Sequence, residues 1–258
     1  MPTYKIDISY NGTNFHGFQQ QPKNRTIQGE ILEVLDRLID NYELNYSGRT
    51  DSGVHAKSQI ISVRSQNELN TKFVHSFNSL ITDEIRMNKL SKVKDEFNPR
   101  FDAKSRVYRY FILNNSKELP FSKDYVYYIE KYFELEQLNN ISKIFLGEKN
   151  FQNFSKLRTN QTPLRKILLS KWSVQNSKFI YTIEGNSFLH NMVRSIVGCQ
   201  LAVIDGKISI NDLKKSYLIQ MIPGTDLWFQ VVGCTYGKSN TSFHKYEYNL
   251  YLSFVTIL

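Results

Sequence analysis

Cysteine is scarce in this 258-residue chain: Cys199 and Cys234 are the two. Both lie in apolar stretches, and the expectation is a pair of reduced core thiols rather than a disulfide framework. The five histidines and two cysteines show no metal-ligand spacing, so no metal site is expected. No apolar run approaches the ~18 residues that a membrane-spanning helix needs. The opening Met1-Pro2-Thr3-Tyr4-Lys5-Ile6-Asp7 lacks the basic-then-apolar order of a secretory signal. These absences point to a cytoplasmic protein with no membrane partner. Neither disorder nor a fibre is favoured, because hydrophobic residues make up 41% of the chain and charged ones 22%, a globular balance.

Acidic residues are in deficit: 24 stand against 33 Lys and Arg, for a net charge of +9 and a pI near 9.3. An excess of this size draws polyanions and speeds their encounter. It does not say which polyanion.

The order of elements repeats. Residues 3–10 alternate, with Tyr4, Ile6, Ile8 and Tyr10 on one face, as a half-buried strand does. Ile27, Ile31, Val34, Leu35, Leu38 and Ile39 then recur at helical spacing. Strands follow at 43–47 and 59–64, a helix at about 70–81, and a return strand from Ile85 to Val93. This is the split βαβ, or ferredoxin-like, order. The second half offers a strand at 105–114, a helix at 134–146, and a hairpin of 166–175 with 178–184 turning near Gln175-Asn176-Ser177. A long apolar helix at 187–205, a shorter one at 210–219 and a closing strand at 227–234 complete it. The expected fold is α+β, with two similar lobes and antiparallel sheets around a central cleft. The boundaries fall at 1–104 for the N-terminal lobe and 105–236 for the C-terminal lobe, with 237–258 a tail of unassigned role. Nothing between the lobes reads as a flexible linker.

Gly48-Arg49-Thr50-Asp51-Ser52-Gly53-Val54-His55-Ala56 lies in the connection between two predicted strands, where functional loops are commonly mounted. Two glycines bracket an aspartate flanked by hydroxyls and an arginine. A tight turn with an Asx hydrogen bond accounts for Asp-Ser-Gly as physics alone reads it.

That string resembles the Gly-Arg-Thr-Asp-Ala-Gly-Val-His-Ala signature of the TruA family of tRNA pseudouridine synthases, with Ser52 in place of alanine. Tyr10-Asn11-Gly12-Thr13 through Phe15, Gly17, Phe18 and Gln19 is similar to the family's opening, although Asn11 and Phe18 stand where it has Asp and Trp. Thr26-Ile27-Gln28-Gly29-Glu30 resembles its first helix start. Phe101-Asp102-Ala103-Lys104-Ser105-Arg106-Val107-Tyr108-Arg109-Tyr110 resembles the segment holding its active-site tyrosine. Phe188-Leu189-His190-Asn191-Met192-Val193-Arg194-Ser195 resembles the second-lobe helix that supplies an active-site arginine. The matches run from residue 3 to about 235 in the family's order.

The resemblance implies isomerisation of uridine to pseudouridine in the tRNA anticodon stem-loop, at positions 38–40, without cofactor or metal, by a homodimer. Asp51 becomes the catalytic carboxylate, as a nucleophile at C1′ or as a base taking a sugar proton. Arg194 becomes the buried cation from the other lobe that keeps it ionised, and Tyr108 the ring that stacks on the target base. Without the resemblance, Arg194 would read as an arginine reaching solvent from an apolar helix and Tyr108 as face packing. Arg49 helps hold or extrude the nucleotide, with Thr50 and His55 beside it. Lys23, Arg25 and Arg165, with Lys156, Arg158 and Lys166, are candidates for contact with RNA phosphates. A non-catalytic RNA-binding or folding protein using the same cleft is the alternative.

Overall fold

Strict alternation builds the first strand of the computed structural model, β1 (Thr3–Tyr10), whose Ile6 and Ile8 are fully buried. The structure describes residues 1–114, 122, 124–131, 133–155, 162–215 and 254–257. It divides into two units, Met1–Val107 with Leu252–Leu258, and Tyr108–Tyr251.

In the first unit β1 leads to α1 (Ile27–Leu38), β2 (Tyr42–Tyr46), β3 (Ala56–Ser65), α2 (Thr71–Leu80) and β4 (Ile85–Val93). This is the strand-helix-strand-strand-helix-strand order that the periodicity predicts. Thr26 caps α1 by accepting from the Gly29 amide, and Asn70 caps α2 by accepting from Lys72 and Phe73. The helices bury Ile27, Ile31, Val34 and Leu35, and Phe73 and Phe77. Each such side chain, taken fully out of water, contributes about 1.5–3 kcal/mol. β1 is central, antiparallel to β3 on one edge and to β4 on the other.

Beyond Ile8 the β1–β3 register slips: Ile8 pairs with Gln59 but Tyr10 with Ala56, so β3 carries one extra residue there. The slip carries β3 down to Ala56, three residues earlier than the predicted start at 59, and delivers the strand directly into the Asp51 segment. The far edge of β3 is shared. β2 runs antiparallel along Ile61–Ser65, while β10 (Phe254–Ile257) runs parallel at Ala56 and Ser58. Part of the unassigned tail is therefore a sheet strand in the first unit.

In the second unit β5 (Arg106–Leu113), which begins two residues before the division, β9 (Lys178–Gly185), β8 (Leu164–Gln175) and β7 (Gly147–Asn150) are neighbours in that order. β6 (Tyr127–Tyr128) pairs in parallel with β5. The β8–β9 hairpin turns through Asn176 and Ser177, both at positive φ, at the predicted place. α3 (Leu135–Ser142) buries Leu138 and Ile141. α4 (Met192–Ile204) is predominantly apolar and buries ten of its 13 residues, with Arg194 half-buried in its first turn. Trp172, fully buried, donates its Nε1 proton to Gln200 Oε1 of α4 at 2.8 Å. α4 begins at Met192, not at 187, because Asn191 takes a left-handed φ of 59° and breaks the helical path ahead of it. α5 (Ile210–Lys215) matches the start of the predicted 210–219 helix. The predicted strand at 227–234, and Lys156, Arg158 and Cys234, lie outside the described residues.

Candidate active site

The Asp51 segment leaves β2, passes Ser47 and Gly48, and enters β3 at Ala56. Its own turn is closed by the Val54 amide donating to the Asp51 carbonyl at 3.2 Å. The connection from β1 to α1 grips it from outside. The Phe18 amide donates to the Thr50 carbonyl at 3.0 Å, and Tyr10 Oη lies 2.8 Å from Thr50 Oγ1. The Gly53 amide and the Ser52 hydroxyl both donate to the Phe15 carbonyl, at 3.3 and 3.2 Å. The Gly12 amide donates to His55 Nδ1 at 3.2 Å. An accepting Nδ1 leaves the ring proton on Nε2. His55 is 1% exposed, so its ring serves the interior of the turn.

Two glycines make the grip possible. A Cβ on Gly12 would fall 2.0 Å from the Val54 carbonyl oxygen. Gly17 has φ +90°, and a Cβ there would fall 2.8 Å from the Thr50 carbonyl oxygen. Backbone meets backbone with no space for a side chain. Phe18 packs its ring between those of Tyr10 and Tyr46, at centroid distances of 6.2 and 5.0 Å.

The opposite side is anchored too. Gln59 Nε2 donates to the Gly48 carbonyl at 2.6 Å, and Arg106 Nη2 to the Ser47 carbonyl at 3.1 Å. Asp51 ends half-buried, while Arg49 is exposed with its Nε 3.3 Å from Tyr46 Oη.

In the second unit Tyr108 projects from β5 edge-on to Phe188, with centroids 4.8 Å apart and planes at 70°. A Cβ on Gly185 would fall 3.1 Å from the Phe188 ring, so that glycine leaves room for it. Arg194 is the third residue of α4 and half-buried. A cation in a first turn opposes the helix dipole, at a cost of about 0.3–1 kcal/mol, so helix stability is not what places it there. The preceding turn is fixed by the Ser155 hydroxyl donating to the His190 carbonyl at 2.8 Å, and by the Ser195 amide donating to Asn191.

The basic candidates fare differently. Lys23 is exposed. Arg25 is engaged by Glu30 at 2.7 Å and Glu84 at 2.6 Å, with its guanidinium 4.3 Å above the Phe15 ring. Burial alone would push the Glu84 carboxyl up. Hydrogen bonds from Asn14, Arg25 and Thr82, with the Arg25 charge, leave it below the usual carboxylate range. Arg165 is 7% exposed and donates through Nη1 to the carbonyls of Thr162 and Leu164, and burial lowers its pKa. Lys166 is exposed.

Sequence reasoning named the Asp51 string, quoted Tyr10, Gly12, Gly17 and Arg106 only as parts of other matching segments and not as its clasp, and missed Gln59. It also missed Phe188 as the neighbour of Tyr108. Gly12 and Gly17 stand in the family-like opening, but their crowding against a distant turn has no trace in the local sequence.

An open depression of about 520 Å³ between α1 and β2 is lined by Gln28, Leu32, Asp36, Ile39 and Tyr42 among others, and by none of the expected site residues. Among the described residues, no group of three His, Cys, Asp or Glu is placed to hold a metal ion, and no helix is long and apolar enough to cross a membrane.

Residues 141–220 match a family model described as tRNA pseudouridine synthase. A tRNA pseudouridine synthase A of Borrelia turicatae is 39% identical over 211 residues, covering 81% of this chain and 86% of its own. One from Borrelia duttonii is 40% identical over 200 residues, covering 76% and 82%. One from Dictyoglomus thermophilum is 35% identical over 219 residues, covering 83% and 89%.

Proposed function

The chain belongs to the tRNA pseudouridine synthase A family, and we propose that it isomerises uridine to pseudouridine in the tRNA anticodon stem-loop, at positions 38–40, with Asp51 as the catalytic carboxylate. The observation that carries this is the Gly48–Ala56 turn, in which an outside clasp holds the residues on both sides of Asp51, itself half-buried.

The reaction breaks the N1–C1′ bond of one uridine and joins C1′ to C5 of the same base, whose C5 proton is then lost while N1 gains one. Atoms and electrons balance within the nucleotide, so neither cofactor nor metal is required. The protein must hold a detached base against a reactive sugar and exclude water. Asp51 acts on C1′ as a nucleophile or on a sugar proton as a base, and both roles need the charged form. A cation answers the tendency of a water-poor pocket to neutralise a carboxylate, and Arg194 takes that part by the resemblance of its helix. Tyr108 stacks on the base, with Phe188 fixing its ring. Arg49, exposed beside Asp51, handles the flipped nucleotide, since a stacked uridine cannot be reached in place. Thr50 and His55 position the turn from within.

RNA phosphates are met by exposed Lys23 and Lys166, with Arg25 and Arg165 shaping the surface around them. The units correspond to two ferredoxin-like lobes, bounded near residue 104 and followed by a tail at 237–258. The β4-β1-β3-β2 order and antiparallel pairing of the first unit support that reading. The enzyme works as a cytoplasmic homodimer.

The test is to incubate pure protein with unmodified tRNA transcripts and locate pseudouridine at single-nucleotide resolution. Pseudouridine at 38–40 with wild type and none with Asp51→Asn is expected. Modification elsewhere, or none, overturns the assignment.

A further inference from the structure

Phe101 is 77% exposed, the most exposed large apolar side chain among the described residues. A lone exposed apolar residue needs no explanation. Three features set this one apart.

The first is rigidity. The turn that carries Phe101 is laced by the amides of Phe101 and Asp102, both donating to the Asn98 carbonyl, and by the Arg100 amide donating to Asn98 Oδ1 at 3.0 Å. The Asn98 amide donates back to Asp102 Oδ2 at 2.8 Å. The second is charge. The Arg100 guanidinium carbon lies 5.6 Å from the Phe101 ring centroid, within cation–π range, so ring and cation are presented together. The third is position. Arg106 Nη2 donates to the Arg100 carbonyl at 2.9 Å and to the Ser47 carbonyl at 3.1 Å. One guanidinium thus ties the Phe101 turn to the residue that opens the Asp51 segment.

A rigid, solvent-facing aromatic paired with a guanidinium suits one class of ligand better than others. The flat face of an unpaired nucleobase stacks on the ring while its phosphate meets the cation. We propose that Phe101 and Arg100 form a stacking platform for an unpaired base of the substrate RNA, outside the pocket that takes the target uridine. The proposal rests on the tRNA reading above, which supplies an RNA at Asp51 whose flanking nucleotides need a place to go. Phe101 acts in binding and takes no part in the chemistry.

The experiment uses the full chain and an unmodified tRNA transcript. Phe101→Ala should raise KM roughly 5- to 100-fold, the range of a lost base–aromatic stack, with kcat at saturating tRNA held within about twofold. Phe101→Leu keeps apolar bulk without a π face and should behave as Ala does, while Phe101→Tyr should behave as wild type. As a readout independent of activity, Phe101→Trp in an Asp51→Asn background should show indole quenching with tRNA beyond that of Asp51→Asn alone, which keeps the chain's own Trp172 and Trp228, but no such excess with heparin, a polyanion without bases. Near-wild-type KM in Phe101→Ala, rescue by Leu, or equal quenching by heparin overturns the platform. Wild-type protein that makes no pseudouridine while the tryptophan still responds to tRNA sinks the catalytic reading and leaves the platform standing.

Discussion

The turn around Asp51 is held from outside, by amides and side chains of the β1–α1 connection, whereas the turn ahead of Arg194 is held mainly by its own helix and one hydroxyl from Ser155. The first arrangement depends on backbone meeting backbone where no Cβ fits. The second depends on a single left-handed residue, Asn191, at the start of a buried apolar helix. A carboxylate that must meet one atom of a substrate needs restraint from several directions. Arg194, as the proposed partner cation, is set by a single helix start instead.

The largest effect tests whether the clasped turn carries the chemistry at all. Asp51→Asn keeps shape and removes charge, so pseudouridine formation should fall by about 1,000-fold or more, the scale on which loss of an essential group is felt. Melting temperature and tRNA affinity should stay near wild type. Residual activity within tenfold of wild type would show that the clasp positions something else.

Next comes the cation. Arg194→Ala should lower kcat at saturating tRNA about 100-fold, the scale on which loss of one preorganised charge is felt. Arg194→Lys should recover part of the rate, since a point charge cannot reproduce the guanidinium fork. An unchanged kcat in Arg194→Ala, with only tRNA binding weakened, would make Arg194 an RNA contact.

A third substitution bears on the comparison itself. Gly12→Ala forces a Cβ against the Val54 carbonyl, so the Asp51 turn must shift by something approaching 1 Å, a displacement worth about 100-fold in rate. Ser155→Ala removes the hydroxyl that fixes the turn before Arg194 and should cost about 1 kcal/mol of stability, with little change in kcat. Equal losses of kcat in the two variants would erase the distinction between a clasped turn and a self-supported one.

These predictions also mark what could be read in advance. β1, α1, α2 and the β8–β9 hairpin declare themselves through period and turn chemistry, which are local. The Asp51 string was legible because its nine residues are contiguous. The clasp was not, since Tyr10, Gly12 and Phe18 act on Thr50 and His55, far along the chain from each of them, and sequence periodicity carries no trace of that pairing. β7 is too short and polar to alternate. β10 has a plausible strand sequence, but its parallel partner at Ala56 and Ser58 lies at the far end of the chain. Arg25 and Arg165 look alike in sequence as surface cations. One is engaged by two carboxylates and the other is buried against carbonyls, a difference only tertiary structure creates.

The smallest expected effect concerns the charged brace behind the clasp. Glu84 accepts from Asn14 at 2.6 Å, pairs with Arg25 at 2.6 Å, and through its backbone carbonyl receives the Asn11 amide, so it steadies the connection that grips Asp51. Its carboxyl lies below the ordinary value of 4.5 in the folded chain. A depressed carboxyl contributes stability that is present above its unfolded value and lost as pH falls through the folded one. Glu84→Gln keeps a group that can accept from Asn14 but gives up the ion pair with Arg25. Wild type should therefore exceed Glu84→Gln by about 0.5–1 kcal/mol at neutral pH, discounted for the partial exposure of Arg25. That gap should begin to narrow as pH drops below about 4.5, where Glu84 of the unfolded chain takes up a proton, and should vanish once pH has passed below the depressed value of the folded carboxyl. Thermal melts of the two proteins from pH 7 downward measure it directly. A gap of constant size across that range, with no narrowing below about 4.5, would mean Glu84 steadies the connection through shape and hydrogen bonding alone, leaving the clasp on Asp51 to backbone contacts without electrostatic help.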